Sequence, residues 1–261
     1  MNNYLSRAEL NEISEGLLRV YARENADRIG LCVDIEHFVT SFLKLDIVYA
    51  PFAEEDAGRI GFLADGETPL LVHRKGKIVP FVFPKDTIVL DNFLLSEKET
   101  GRRRFTMAHE AAHHILKRMQ PSQSTAHFHT EFDNERVYSK DELAKMFATV
   151  EWQADAMGAS ILMPIKLVNL NLQKAGLSNP VKIYGDMVFG TNDKILIRQA
   201  AKSMGVSYTA FVIRLRDLNM LEFHDISEFV ATELQLGGAH CCRHRRQLTG
   251  QQFKSCLLNQ E

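Results

Sequence analysis

His109 and His113 stand four residues apart in FTMAHEAAHHILKRM, Phe105 to Met119, with Glu110 directly after the first. On an α-helix, residues four apart lie one above the other on a single face, so both imidazoles can reach one ion. Phe105, Ala108, Ala112, Ile115 and Met119 recur at spacings of three and four, which predicts a helix with an apolar stripe beside its histidine face. The fold must therefore pack this helix and still leave both rings room to meet a ligand. A catalytic zinc ion takes three protein ligands and keeps a fourth position for water, whose pKa falls to about 7 there. Glu110 is the carboxylate suited to take that proton as general base. Taken alone, the pair is also compatible with ordinary helix histidines, and the metal reading needs a third ligand.

A second helix offers one. DELAKMFATVEWQADAMGASILM, Asp141 to Met163, is rich in helix formers and is stopped by Pro164. Glu151, Ala154, Asp155, Gly158 and Leu162 share one face, and the small Ala154 and Gly158 would let this helix come close to the first. That approach brings Glu151 to the metal as the third ligand. Asp155, one turn further on, is placed to receive the non-ligating nitrogen of a zinc histidine.

These residues resemble the ImmA/IrrE-type metallopeptidases. The resemblance lies in RRRFTMAHEAAHHIL, Arg102 to Leu116, and in EWQADAMGASILMP, Glu151 to Pro164. Looser matches are TIVLD before the first helix and GVSYTAFVIRLRDLNML near the C-terminus, and together they span roughly residues 30 to 222. The chain departs from the family in carrying Ala where many members have Leu-Gly inside the first motif, and Asp155 where Asn is common. The resemblance implies one zinc ion held by His109, His113 and Glu151, with Glu110 catalytic. It also implies a protein substrate, often a helix-turn-helix transcriptional repressor whose cleavage releases stress-response or mobile-element genes.

The 261 residues are 45% hydrophobic, enough for one sizeable core. A net charge of -2 argues against a dedicated nucleic-acid or anionic-membrane binder. No apolar run is long enough to span a bilayer and MNNYLSRAEL lacks the plan of a signal peptide, so a cytoplasmic location without membrane contact is expected. Cys32, Cys241, Cys242 and Cys256 do not form a secreted disulfide framework.

Ser6 and Glu9 form a capping box ahead of a helix reaching to about Arg28, and a short second helix begins at Asp34 and runs through Phe42. From Asp46 the chain turns β-branched and aromatic: DIVYAPF, RIGFLAD, PLLVHRK, KIVPFVF and TIVLD predict a small, mostly antiparallel sheet. Thr87 to Asp91 is the candidate for an open edge to which an extended substrate could add. Ser96 and Glu99 are expected to cap the metal-binding helix, and Arg102, Arg103 and Arg104 to form a solvated face. The long connection after Met119 carries His127, His129 and Tyr138, candidates for donating to a developing oxyanion.

Residues 193–219 read as helix, tight turn and helix with Ser207 as N-cap, a helix-turn-helix outline more consistent with packing than with DNA binding because Arg214 and Arg216 are offset by Asp217. The tail from Gly237, with His240, Cys241, Cys242 and His244, reads as flexible rather than as a metal site.

The expected protein is thus α+β and zincin-like: a metallopeptidase core over residues 1–163, a mostly helical region over 164–236 packed on it, and a tail over 237–261. The expected activity is that of an intracellular zinc-dependent endopeptidase. The alternatives are a non-catalytic zinc-binding sensor or interaction protein and a DNA-binding regulator using residues 193–219.

Overall fold

A computed structural model of the chain describes residues 5–53, 59–119, 127–130 and 149–234, and has a mixed α+β fold. Helix α1, Arg7–Glu24, opens on the expected capping box: Ser6 Oγ accepts from the Glu9 amide while the Glu9 carboxylate accepts from the Ser6 amide. It ends before the expected point, at Asn25, and Ala26–Arg28 form a 3-10 turn. Asp34 caps α2, Ile35–His37, which runs on into a π-helical turn over Phe38–Phe42.

Five strands follow: β1 Asp46–Ala50, β2 Arg59–Ala64, β3 Pro69–Arg74, β4 Lys77–Val82 and β5 Thr87–Asp91. A sixth, β6 His127–Thr130, completes a four-stranded sheet in the order β1-β5-β2-β6. The sheet is mixed, with β1 parallel to β5, and β2 antiparallel to both β5 and β6. Strand β5 is therefore interior, which corrects the expectation that Thr87 to Asp91 lies open. Ile88, Val89 and Leu90 are all fully buried, as a strand covered on both faces and paired along both edges requires. Among the described residues, the outer strand on the side of the histidine helix is β6.

Strands β3 and β4 form a separate hairpin closed by Lys75 and Gly76, both with positive φ (51° and 76°), the type I′ geometry that suits strand twist. The hairpin covers one face of the sheet through Leu70, Val72 and Phe83, which pack with Phe62, Ala64 and Val89. The other face receives α3, Thr100–Met119, every residue of which from Thr106 to Leu116 is buried. The expected cap on α3 is absent. Ser96 instead leads a 3-10 turn, Glu97–Glu99, without side-chain capping, and Glu99 pairs with Arg102 at 3.2 Å.

The arginine triplet is not simply a solvated face. Arg104 is largely buried and donates to the carbonyls of Val33 (2.8 Å) and Gly205 (3.1 Å), while Arg103 donates to the Leu94 carbonyl at 3.1 Å. Charged donors satisfying buried carbonyls hold α3 to distant chain segments.

Helix α4, Thr149–Leu162, packs against α3 and α1, with Ser160 Oγ donating to Asn11 Oδ1 at 2.6 Å. Then come α5 Ile165–Ala175, β7 Val181–Tyr184, α6 Thr191–Ser203, α7 Tyr208–Asp217, β8 Leu221–His224 and α8 Ile226–Thr232. Strands β7 and β8 form a parallel pair. Ser207 caps α7 as expected, accepting from the Ala210 amide at 3.1 Å. The main hydrophobic core runs without interruption from Leu10 through Met107 and Met157 to Phe211 and Met220.

Arg214 lies inside this core, 3% exposed, with Nε donating to the Met163 carbonyl and Nη1 to Asn11 Oδ1, each at 2.9 Å. Burial lowers its pKa to about 10, opposed by the charge of Asp217, so it remains a cation at neutral pH. Its hydrogen bonds to chain carbonyls leave it turned away from any phosphate backbone. Arg214→Ala is accordingly expected to lower unfolding free energy by roughly 3 kcal/mol in urea titration, given ~1.5–3 kcal/mol for a charge-assisted bond. Duplex affinity at low salt should not change.

Candidate metal centre

Helices α3 and α4 can approach so closely because α4 carries glycine where they touch. A Cβ at Gly158 would stand 3.1 Å from the His109 amide nitrogen and 3.2 Å from the Ala108 carbonyl carbon, both backbone atoms. Ala108, Ala111, Ala112 and Ala154 are fully buried around the same contact. Small side chains thus place Glu151, in the first turn of the described part of α4, opposite the two histidines, as the shared small face of α4 predicts.

His109 Nε2 and His113 Nε2 are 2.9 Å apart, and the Glu151 carboxylate reaches them at 3.4 Å (Oε2 to His109) and 3.5 Å (Oε1 to His113). One donor atom from each of the three lies within 4.8 Å of the others. In a tetrahedral site with ligands at 2.0–2.1 Å, donor atoms are separated by roughly 3.3 Å. Each carboxylate oxygen stands about that far from one imidazole, so a small turn of the carboxylate and a parting of the rings by a few tenths of an ångström would bring one donor from each residue around an ion. Both histidines are buried while Glu151 keeps 24% of its side chain exposed, so the cluster is walled by protein yet open on one side.

Asp155 Oδ1 accepts from His109 Nδ1 at 2.8 Å, the role anticipated for it. Burial alone would depress the His109 pKa, but the hydrogen bond and charge of Asp155, reinforced by Glu151 and Glu110, raise it to about 10. The carboxylates around His109 thus favour its protonated form when no metal is bound, with Asp155 at Nδ1 and Glu151 and His113 at Nε2. An ion ligated by Nε2 must replace that second proton. With the folded pKa near 10, zinc affinity is expected to rise about tenfold per pH unit from neutrality toward pH 10, with one proton released per ion bound. Calorimetry in buffers of different ionisation enthalpy measures that release, and affinity flat with pH would contradict it.

Glu110 is fully buried, and neither carboxylate oxygen has a hydrogen-bond partner of good geometry among the described residues. Burial raises its pKa to about 8, against the lowering charge of His109, with Glu151 adding to the rise and the Leu63 amide opposing it. A buried carboxylate left unpartnered beside a cluster of metal-donor atoms is costly unless a cation or a substrate proton meets it. The donor set, two imidazoles and one carboxylate, therefore fits a divalent metal ion.

The remaining candidates fall outside what the structure describes. Tyr138 lies outside the described residues, as do 131–148 and the tail with His240, Cys241, Cys242 and His244. His127 and His129 are described only as backbone of β6, where they pair with Leu63 and Gly61. One residue the motifs did not single out does reach the site: Gly61 of β2, which passes beside Glu110. Its only sequence signal is an isolated glycine within the apolar run RIGFLA.

No family model matches the chain, and no curated protein is significantly similar to it. Among the described residues, no helix is long and apolar enough to cross a membrane.

Proposed function

We propose that the chain is a zinc-dependent endopeptidase of zincin-like fold, with His109, His113 and Glu151 as ligands and Glu110 as the proton carrier. The observation that carries this reading is the convergence of those three donors beside a buried carboxylate that has no hydrogen-bond partner of good geometry among the described residues. Zinc held by these three residues would supply Lewis acidity for a carbonyl and bring the pKa of a bound water to about 7. Glu110 takes the proton from the attacking water and returns it to the leaving amine, and a cation on the adjacent ligands favours the ionised carboxylate that this role requires. Asp155 fixes the tautomer and orientation of His109. An extended substrate adds along the outer edge of β6, the position sought at β5, because β6 pairs with β2 next to Gly61 and flanks α3.

A zinc-binding sensor without turnover would have no use for Glu110, whose burial costs stability and gains no hydrogen bond of good geometry among the described residues. The resemblance of the two helix motifs to ImmA/IrrE-type enzymes favours a repressor protein as the substrate, in a transcriptional or stress response within the cytoplasm. The test is incubation of zinc-loaded protein with a complex mixture of denatured polypeptides, followed by mass spectrometry of new amino termini. New termini that need zinc and are absent with Glu110→Gln support the proposal. Cleavage that persists with a chelator, or none at all with a panel of repressors, rejects it.

A further inference from the structure

Neither Glu110 oxygen has a hydrogen-bond partner of good geometry among the described residues, although the Leu63 amide of β2 faces the carboxylate closely enough to oppose the rise that burial gives its pKa. What lies against it is the backbone of β2. A Cβ built on Gly61 would stand 2.7 Å from Glu110 Oε1 and 2.4 Å from Thr106 Cγ2, closer than side chains tolerate. Thr106 is not free to yield, because its hydroxyl donates to the Arg102 carbonyl at 3.0 Å and so fixes the methyl toward the strand. The strand is also irregular at this point. Arg59 pairs with Thr130 and Gly61 with His129, so Ile60 is an extra residue, a bulge in β2 beside the position that faces Glu110. Ile60 is buried in the main core that α3 helps to form, and Gly61 follows it to meet the same helix.

We infer that Gly61 is a positioning residue: the missing side chain, next to the Ile60 bulge, makes the floor on which the Glu110 carboxylate rests at the correct distance from the histidine pair. An added methyl drives the carboxylate off that floor, and a misplacement of about 1 Å at a reacting group costs on the order of a hundredfold in rate. The inference rests on the proposed role of Glu110, but the contact itself does not.

The full chain, zinc-loaded, is tested with acetohydroxamate, a probe whose hydroxyl would meet the Glu110 carboxylate if that group sits where the inference puts it. T106S removes the methyl that G61A would strike first, so G61A/T106S is compared with T106S alone. With zinc content retained, G61A/T106S is expected to bind the probe roughly tenfold more weakly than T106S, the loss of one charge-assisted contact. G61A/T106S/E110Q should bind no more weakly than T106S/E110Q, because both changes act through one carboxylate. Affinity equal to that of T106S, or losses that add, overturns the inference. Melting curves give a second reading that needs no metal. The drop caused by G61A in T106S, or its failure to fold, should disappear when E110A removes the struck carboxylate, and a drop of equal size with and without Glu110 overturns the inference. A chain that takes up no zinc defeats the proposed function, and the melting comparison then decides Gly61 by itself.

Discussion

Glu110→Gln is expected to keep one zinc ion per chain and lose cleavage by on the order of 10²–10⁴, while making the metal-free protein more stable at alkaline pH. The activity loss follows from isosteric replacement of a proton acceptor by an amide. The stability gain follows from the pKa, which burial raises to about 8. The folded carboxyl then holds a proton that the unfolded chain has already released between about pH 4.5 and 8. Folding is therefore penalised increasingly as pH rises through that window, by on the order of a few kcal/mol once the group is ionised. The glutamine variant carries no such penalty. His109 keeps its leading partner, Asp155, so its support is largely undisturbed. The melting-temperature difference between variant and parent should widen from pH 5 to pH 9. A carboxylate with a structural role gives the opposite sign, since neutralising it would remove a favourable contact. Near-normal cleavage by the variant would take Glu110 out of the mechanism.

Parts of the fold that rest on short-range spacing were legible in the sequence. The four-residue step from His109 to His113 and the shared small face of α4 depend only on helix geometry, and Gly158 meets the backbone of Ala108 and His109 as that face predicts. Caps at Ser6 and Ser207 are also local and form as expected. Interactions set by distant partners were not legible. Arg104 finds carbonyls 71 and 101 residues away, and nothing in the triplet distinguishes it from solvated neighbours. The order of the strands is likewise a long-range outcome. A usable signal was present in TIVLD, whose three consecutive apolar residues suit a strand buried on both faces better than an edge. Gly61 is the case between these extremes: an isolated glycine in a strand marks a close approach, but only the coordinates name Glu110 as what approaches.

The least secure ligand by sequence gives the second large effect. Glu151→Ala should abolish stoichiometric zinc binding, whereas Asp155→Ala should weaken it only about 10–100-fold, the usual cost of losing a group behind a ligand. The contrast follows from geometry. Glu151 places one oxygen within 3.4 Å of His109 Nε2 and the other within 3.5 Å of His113 Nε2, on the side where the rings converge. Asp155 touches the far nitrogen of His109 and is half exposed. Removing Glu151 leaves two imidazoles, one of them tending to hold a proton, and two neutral nitrogens seldom retain zinc against water and chelators. Folding should survive, because Glu151 is partly exposed and its negative charge works against ionised Glu110. Competition with a chromophoric chelator measures both affinities, with circular dichroism confirming the fold. If Glu151→Ala holds zinc as tightly as Asp155→Ala does, then α4 contributes no ligand, and the helix pair around which the proposed enzyme is built loses its chemical purpose.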